Sequence, residues 1–254
     1  MNDTSGRPRA AALLMGRGGS KSIPKKNVHP VMGRPLVFYP MHAALSAERI
    51  DRVFVTTDCP DIQSVARENG VGVIARPPEL SRDDSQMVDG ILHALEVMGD
   101  EFDYLVTMHC NCATHHPGLI DKCLIQLDES PDADACVSGV IDKAVHPFRT
   151  RRLTSDGLLE PWIEIPPGTS SNRQALDPCV ILDGAARAMR IDACFPPCGD
   201  PPFSYLGRNI LMVENPGGMD VHDEWDFIET ERFLRSVGWT ETMEPQLHPH
   251  QPSR

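Results

Sequence analysis

A short apolar segment near the start of the chain, Ala11 to Met15, runs directly into a glycine-rich, basic stretch that begins at Gly16. A continuous apolar run of this kind that ends in glycine is typical of a parallel strand buried on both faces. In open α/β sheets the ligand-binding loops follow the carboxyl ends of such strands. This junction therefore predicts a central parallel sheet, with a binding site where the first strand ends.

The change from apolar run to amphipathic stretch recurs along most of the chain. Apolar runs predict further strands at 52–57, 71–75, 104–108, 135–141, 179–182 and 209–213. Amphipathic stretches predict helices at 35–48, 60–69, 85–98, 117–127 and 223–235. Alternating strands and helices are typical of the α/β class, so we expect a Rossmann-like fold with a mostly parallel sheet.

The alternation also predicts the domain organisation, which is a single domain over residues 11–240. Residues 1–10 and 241–254 are polar, and we expect disordered tails there. Residues 142–176 break the alternation and are rich in Pro, Arg and Gly. We expect this segment to be an inserted arm or lid that covers the site or contacts a second subunit.

Charge and cysteine content narrow the classes of partner. The formal net charge of −12 argues against nucleic-acid or anionic-membrane binding, because both require a basic face. No run reaches the roughly 18 apolar residues of a membrane span, and the polar segment 1–10 does not resemble a signal peptide. We therefore expect the eight cysteines to be reduced thiols in a cytoplasmic protein.

The stretch from Gly16 to Asn27 has the composition of an anion-binding loop. Its glycines allow backbone N–H groups to approach a ligand closely, and such a turn after a parallel strand forms an anion-binding nest. Arg17 can contact two phosphate oxygens at once, and Lys21 supplies a compact positive charge. The stretch matches neither a Walker A loop nor the dinucleotide-binding glycine pattern. It predicts a phosphate site, with a purely structural basic turn as the alternative.

Taken whole, the string GRGGSKSIPKKN at 16–27 resembles the opening motif of the cytidylyltransferases that make CMP-activated sugar acids, the CMP-sialic acid and CMP-ketodeoxyoctonate synthetase group. The resemblance continues at 33–36, 51–58, 76–85 and 219–227 and is weak from about 109 to 180. It implies a Rossmann-like nucleotidyltransferase fold, CTP as the nucleotide, Mg²⁺ as the cofactor and a homodimer. The residues alone do not select cytosine, so UTP or GTP stays an alternative on physical grounds.

By this resemblance, the loop holds CTP and Arg76 lies near the base or ribose. The implied nucleotide contacts are Gly18, Gly19, Ser20, Lys21, Asn27 and Arg76, and the implied catalytic residues are Arg17, Lys21 and Asp220. Lys21 would neutralise the triphosphate while an acceptor oxyanion attacks the α-phosphorus in line and pyrophosphate leaves. Mg²⁺ would bridge phosphate oxygens, and it needs only one or two protein carboxylates.

The implied metal site departs from the family pattern. Asp220 matches the first aspartate of the family's Asp-x-Asp pair, but the second position is His222. Histidine is a poor magnesium ligand, so several arrangements stay open. Asp220 acts alone, or Asp58 or Asp223 assists it, or His222 contacts the acceptor, or His222 only caps the last helix. Asp220 and His222 are the metal ligands that the resemblance implies.

The acceptor side departs further from the family. A glutamine and an arginine that follow the family's central strand are replaced here by His109 and His115. The expected acceptor contacts are His109, Asn111, His115, Arg173 and Gln174. Because a site built for one set of hydroxyls rejects other ligands, these changes predict a different acceptor. A small phosphonate such as phosphonoformate, in antibiotic or other natural-product biosynthesis, suits these side chains. The alternatives are a CMP-nonulosonic acid synthetase and a nucleotide-binding module that has lost catalysis.

Overall fold

The computed structural model describes residues 7–19 and 22–242. Its strands are β1 (Ala10–Met15), β2 (Pro30–Val31), β3 (Arg34–Pro35), β4 (Arg52–Thr57), β5 (Gly72–Ala75), β6 (Tyr104–His109), β7 (Ala135–Ile141), β8 (Arg151–Leu153), β9 (Leu159–Pro161), β10 (Val180–Arg190) and β11 (Ile210–Glu214). Its helices are α1 (Phe38–Leu45), α2 (Pro60–Glu68), α3 (Met87–Met98), α4 (Leu119–Glu129), α5 (Ile191–Cys194) and α6 (Glu224–Ser236).

The central sheet has seven strands in the order β11-β7-β10-β6-β1-β4-β5. Neighbouring strands run parallel except at β10, which is antiparallel to both β6 and β7. The predicted α/β class, with a Rossmann-like and mostly parallel sheet, is confirmed. Met15, the last residue of β1, pairs with Thr56 on one side and with His109 on the other. The carboxyl ends of β1, β4 and β6 therefore lie side by side.

β1 is buried on both faces, as its apolar sequence predicts. Leu14 packs into the cluster that α1, α2 and α4 form on one face of the sheet. Leu13 and Met15 point the other way, into the cluster that includes α3. Helices on both faces exclude water from the strand, which explains why no polar residue interrupts it.

The observed elements differ from the predicted ones chiefly at α1 and β10. The helix predicted to start at Pro35 starts at Phe38, because Pro35 pairs with Pro30 in the short β2–β3 hairpin. The strand predicted at 179–182 continues to Arg190, with an irregularity in pairing between Leu182 and Arg187. Polar residues in this irregular part hide the strand from the apolar pattern.

The prediction of a disordered tail over residues 1–10 is wrong for residues 7–10. Arg7 forms an ion pair with Asp51 at 2.7 Å, and the Arg9 N–H donates to Asp103 at 2.7 Å. β1 then begins at Ala10. Residues 1–6, and 243–254 in the other predicted tail, lie outside the described residues.

Residues 142–176 lie between β7 and β10. They contain the β8–β9 hairpin, in which Arg151 pairs with Pro161, and short 3₁₀ turns at Lys143–Val145 and Arg173–Ala175. Every residue of β8 and β9 is exposed. In the described part of the chain, no helix is both long enough and apolar enough to cross a membrane.

Candidate functional site

A cleft of about 520 Å³ opens at the carboxyl ends of β1, β5 and β6. Its lining includes Gly16 and Arg17 after β1, Lys26 and Asn27, Arg76 after β5, Gln86 and Met87 at the start of α3, and His109 and Asn111 at the end of β6. The fold therefore gathers, at one edge of the sheet, residues that are widely separated in the sequence. This is the edge where ligands bind in open α/β sheets.

The loop after β1 passes close to the end of β6 at Gly16. A Cβ at this position would lie 2.6 Å from Cys110 Sγ, so only glycine allows this approach. The Gly18 N–H donates to Asp58 Oδ1 at 2.8 Å, which holds the loop against the end of β4. Gly19, predicted to bind the nucleotide, has open space where a Cβ would stand. Ser20 and Lys21, predicted phosphate contacts, lie outside the described residues.

Arg17 lies on the rim of the cleft. Its Nη1 forms an ion pair with Asp83 Oδ1 at 2.7 Å, and both side chains are well exposed. Arg17 and Asp83 both line the cleft. A surface pair of this kind contributes little to stability, so the guanidinium can exchange this carboxylate for a ligand's phosphate at small cost.

Asn27, another predicted nucleotide contact, is almost fully buried in the cleft wall. Its Nδ2 donates to the Arg17 carbonyl at 3.2 Å. Its Oδ1 is buried and has no partner among the described residues. The side chain therefore braces the loop with one end and offers a free acceptor with the other.

Lys26 reaches across the cleft to the segment before α6. Its Nζ donates to the Val221 carbonyl at 2.6 Å. Burial lowers the pKa of Lys26, although the nearby carboxylates of Asp220 and Asp226 oppose this effect. Lys26 thereby ties the loop after β1 to the segment that carries Asp220.

Arg76 is anchored at the end of β4 rather than by an acidic residue. Its Nη2 donates to the Thr56 carbonyl at 2.7 Å, and its Nε donates to Thr56 Oγ1 at 3.3 Å. Burial lowers the pKa of the Arg76 guanidinium. Gly90 allows α3 to pack close to the end of β1, because a Cβ at this position would lie 3.2 Å from Met15 Cε. The position of Arg76 in the cleft is therefore fixed by the carbonyl and the hydroxyl of Thr56.

His109 and Asp220 form a hydrogen-bonded pair at the other end of the cleft. His109 Nδ1 lies 2.7 Å from Asp220 Oδ2, and both side chains are largely buried. His109 Nε2 and Asp220 Oδ1 are buried and have no partner in the part of the chain that the structure describes. With Nδ1 engaged by Asp220, Nε2 is the ring atom left for a ligand.

Gly184 of β10 makes room for this pair. A Cβ at Gly184 would collide with both Asp220 Oδ1 and His109 Nδ1. Burial alone would raise the pKa of Asp220, but the hydrogen bond from His109 and the positive charges of His109, Arg187 and His222 outweigh it and lower the pKa. Asp220 is therefore held as a carboxylate despite its burial.

The residues at this position fit a single Mg²⁺ contact. The unpartnered Asp220 Oδ1 is a hard, anionic oxygen of the kind that Mg²⁺ binds, and one such ligand is enough when phosphates and water complete the shell. No group of three or more His, Cys, Asp or Glu side chains suited to a metal occurs within residues 7–19 and 22–242. The residues therefore fit a metal ion that is held mainly by the phosphates of a bound ligand.

The other candidates for metal binding have different roles in the structure. Asp58 accepts the hydrogen bond from Gly18, and Asp223 caps α6 by accepting from the Trp225 and Asp226 N–H groups. The backbone N–H of His222 donates to Asp226 Oδ2 at 2.6 Å, and the residue is exposed. The assignment of His222 as a metal ligand stays a prediction.

The predicted acceptor contacts do not all meet in the cleft. His109 and Asn111 line it, although Asn111 Nδ2 donates to the Val221 carbonyl at 3.0 Å. His115 does not line it: the residue is buried, and its Nε2 lies 3.0 Å from the Ala185 carbonyl. Arg173 and Gln174 are exposed in a 3₁₀ turn of the 142–176 segment and do not line the cleft either.

Two features of the site were missed in the sequence. Gly184 gave no signal in the sequence. It matters because the fold brings it against His109 and Asp220, which lie 75 and 36 positions away along the chain (184 − 109 and 220 − 184). Arg187 did give a signal, since it is a charged residue within the otherwise apolar run 185–189. A charge in a fully buried strand calls for a partner.

The fold and the cleft together define an α/β protein with a candidate binding cleft at the carboxyl ends of its parallel strands. A family model described as Cytidylyltransferase matches residues 11–155, which is more than half of the 254-residue chain. The chain therefore belongs to the cytidylyltransferase family.

Relatives and solved structures agree with this assignment. The chain is 39% identical over 214 residues to N-acylneuraminate cytidylyltransferase A of Danio rerio, which covers 83% of this chain and 45% of the relative. It is 31% identical over 181 residues to the Oncorhynchus mykiss N-acylneuraminate cytidylyltransferase, covering 70% and 38%. The chain thus spans less than half the length of these relatives. Their names confirm the predicted resemblance to CMP-sugar-acid synthetases.

Two solved structures share the fold. A CMP:2-keto-3-deoxy-manno-octonic acid synthetase complexed with CTP aligns with a TM-score of 0.66 at 16% identity, over 90% of this chain and 99% of that one. A 4-diphosphocytidyl-2C-methyl-D-erythritol synthase from Anaerococcus prevotii aligns with a TM-score of 0.60 at 11% identity, over 90% and 96%. At these identities the likeness concerns the fold alone.

Proposed function

We propose that this protein transfers CMP from CTP to a small acidic acceptor and releases pyrophosphate. The observation that carries the proposal is the arrangement of the cleft in a chain of the cytidylyltransferase family. A loop suited to phosphates lies at one end of the cleft. At the other end lies the His109–Asp220 pair, in which His109 Nε2 and Asp220 Oδ1 have no partner among the described residues. Nucleotide and acceptor can then meet between them.

In this proposal the nucleotide occupies the end of the cleft formed by the loop after β1. Arg17 exchanges Asp83 for the triphosphate, and the backbone N–H group of Gly19 approaches the phosphates. Asn27 Oδ1 accepts a hydrogen bond from the nucleotide, and Arg76 lies beside its base or ribose. Lys21 acts on the charge that develops as pyrophosphate leaves.

Asp220 Oδ1 is the protein oxygen that would hold Mg²⁺. The metal, when bound, offsets phosphate charge and fixes the line of attack. His109 keeps the other Asp220 oxygen occupied, and therefore orients the carboxylate. Nε2 of His109 is then the ring atom left to face the attacking group of the acceptor and to help place that group next to the α-phosphorus.

The acceptor that we propose is a small phosphonate, with phosphonoformate as the example. Support comes from His109, an imidazole at the position where the resemblance implies a glutamine in the related synthetases. The names of the relatives, N-acylneuraminate cytidylyltransferases, favour a second candidate, the transfer of CMP to a sialic-type acid. A nucleotide-binding module without catalysis is the third reading, suggested by His222.

Two further properties belong to this proposal. We propose a cytoplasmic enzyme that works as a homodimer, with the exposed 142–176 segment as the subunit contact. The exposed apolar side chains of this segment, Leu153, Leu158, Leu159, Trp162 and Ile163, support an interface there.

An acceptor screen tests the proposed reaction. The full chain is incubated with CTP and Mg²⁺, together with phosphonoformate or N-acetylneuraminate, and pyrophosphate release is measured. We expect release with CTP and phosphonoformate, little with UTP or GTP, and none without acceptor. Asp220→Asn should lose about a hundredfold or more of the rate, because the metal and His109 both lose their anionic partner.

The outcomes of the screen separate the three readings. The matched control is Asp223→Asn, which keeps a capping side chain on α6 and should retain the rate. Pyrophosphate release with N-acetylneuraminate but not with phosphonoformate would show that the acceptor is a sugar acid and not a phosphonate. Binding of CTP without release for any acceptor would favour the nucleotide-binding module.

A further inference from the structure

Arg187 is a buried arginine in the middle of β10. It pairs with Thr107 of β6 on one side and with Val137 of β7 on the other. Only 4% of its surface is exposed, and the residues on both sides of it in the strand, Ala186 and Ala188, are fully buried. An arginine in such a place loses its hydration, so its contacts must compensate.

The contacts of Arg187 within the protein are all neutral. Nη1 donates to the Tyr205 hydroxyl at 2.6 Å and lies 3.5 Å from Met87 Sδ, and Nη2 donates to the Asp183 carbonyl at 3.4 Å. The guanidinium carbon lies 5.3 Å from the centre of the Phe203 ring. Nε is buried and has no partner among the residues described. The hydrogen-bonding capacity of the guanidinium is therefore only partly used.

The carboxylates nearest to Arg187 are committed elsewhere. Asp183 accepts hydrogen bonds from the Asn215 side chain, from Ser138 and from the Ala185 N–H. Asp220 accepts from His109. Arg187 forms no ion pair within 4.0 Å in the described part of the chain. The charge of Arg187 does act on Asp220, whose pKa it helps to lower, but no carboxylate accepts a hydrogen bond from the guanidinium in the described chain. A ligand's anion would therefore find hydrogen-bond donors that the protein leaves unused.

Arg187 is also close to the cleft. Met87, which contacts Nη1, lines the cleft at the start of α3. Gly184, three positions before Arg187 in β10 (187 − 184), faces the His109–Asp220 pair. A methionine side chain is flexible and adapts to its surroundings, so Met87 can move aside for a ligand. Met87 is therefore the side chain that both lines the cleft and contacts the guanidinium.

We propose that Arg187 binds the oxyanion group of the acceptor and thereby selects an acidic acceptor. This inference rests on the proposed transfer of CMP to such an acceptor. The planar guanidinium suits a carboxylate or a phosphonate, whose two oxygens it contacts together. The acceptor's anion lies at Arg187 beneath Met87, and its attacking group lies at His109.

Equilibrium binding tests the inference apart from turnover. Binding of phosphonoformate, and separately of N-acetylneuraminate, is measured by calorimetry with Mg²⁺ and a CTP analogue that cannot transfer CMP. We expect Arg187→Met to weaken acceptor binding about tenfold or more, because a charged hydrogen-bonded contact is lost. Arg187→Lys should recover part of the affinity, and CTP binding should stay unchanged in both variants.

A control and a stability measurement complete the experiment. Arg208→Met removes an exposed arginine and should leave acceptor binding unchanged. If Arg187 serves the fold alone, Arg187→Met changes the melting temperature but leaves acceptor affinity intact, which would overturn the inference. So would a wild-type protein that binds neither anion. If Arg187→Met does not fold, the melting temperature and the acceptor affinity of Arg187→Lys are compared instead, and unchanged acceptor affinity would again overturn the inference. Acceptor binding without pyrophosphate release would contradict the proposed reaction and leave Arg187 as an anion site.

Discussion

At the scale of single residues, the site is marked by buried polar atoms that lack a partner. Asn27 Oδ1, His109 Nε2, Asp220 Oδ1 and Arg187 Nε belong to this group within the described chain. Each unpartnered atom costs about 1–3 kcal/mol in a folded protein. Asn27 and His109 line the cleft and Asp220 is hydrogen-bonded to His109, so a ligand in the cleft would supply their missing partners. Four further buried atoms without a partner, in His93, Thr107, His115 and Thr230, lie outside the cleft lining. The sequence predicted Asn27 and Asp220 through the family resemblance and His109 through a departure from it, but it could not show that their polar atoms lack partners.

Gly184 provides a test of the His109–Asp220 pair. Gly184→Ala adds a methyl group that must push the two side chains apart. We expect the turnover number to fall about tenfold to a hundredfold while CTP binding persists, because the phosphate loop is untouched. In the Asp220→Asn background the same change should cost little more, since the pair is already weakened. Fully additive losses would show that Gly184 acts through the strand instead.

At the scale of elements, sequence patterns located most strands and helices, because burial on both faces of the sheet imposes long apolar runs. β4 and β7 were predicted with their observed bounds. β10 was not, since Asp183, Gly184 and Arg187 interrupt the apolar pattern. The antiparallel direction of β10 was also beyond the reach of a local pattern.

The start of α6 holds the Asp220 segment in place. The Asp223 side chain accepts from the Trp225 and Asp226 N–H groups, and Asp226 accepts in return from the Asp223 N–H. Asp223→Ala should therefore lower the free energy of unfolding by about 0.5–2 kcal/mol, as measured by chemical denaturation. Glu224→Ala, a neighbouring exposed carboxylate outside the cap, is the control. Equal losses in both variants would assign the effect to helix charge rather than to the cap.

At the scale of the whole molecule, the residues that sequence reasoning grouped as one acceptor site belong to separate regions. His115 is buried against β10, and Arg173 and Gln174 are exposed in the 142–176 segment. Proximity in sequence to a motif does not establish proximity in space. The nucleotide contacts stay a prediction, and most of them come from one continuous loop, so they depend less on how distant segments pack together.

The exposed apolar hairpin provides a test of assembly. Leu159 and Trp162 are 68% and 63% exposed, which is costly unless a second subunit covers them. We expect the wild-type chain to sediment as a dimer, and Leu159→Asp with Trp162→Asp to sediment as a monomer. Ile228→Asp changes a comparably exposed residue of α6, 56% exposed, and should leave the dimer intact. A monomeric wild-type chain would rule out the proposed homodimer.

The direction of β10 has a consequence for how such a protein can diversify. Val180 pairs with Ile141, so the chain leaves and rejoins the sheet at one point, on the edge that carries the cleft. Insertions or deletions in 142–176 therefore leave every strand pairing of the central sheet intact, although they alter the β8–β9 hairpin. This segment can change in length and sequence while the loop at 16–27 stays as it is.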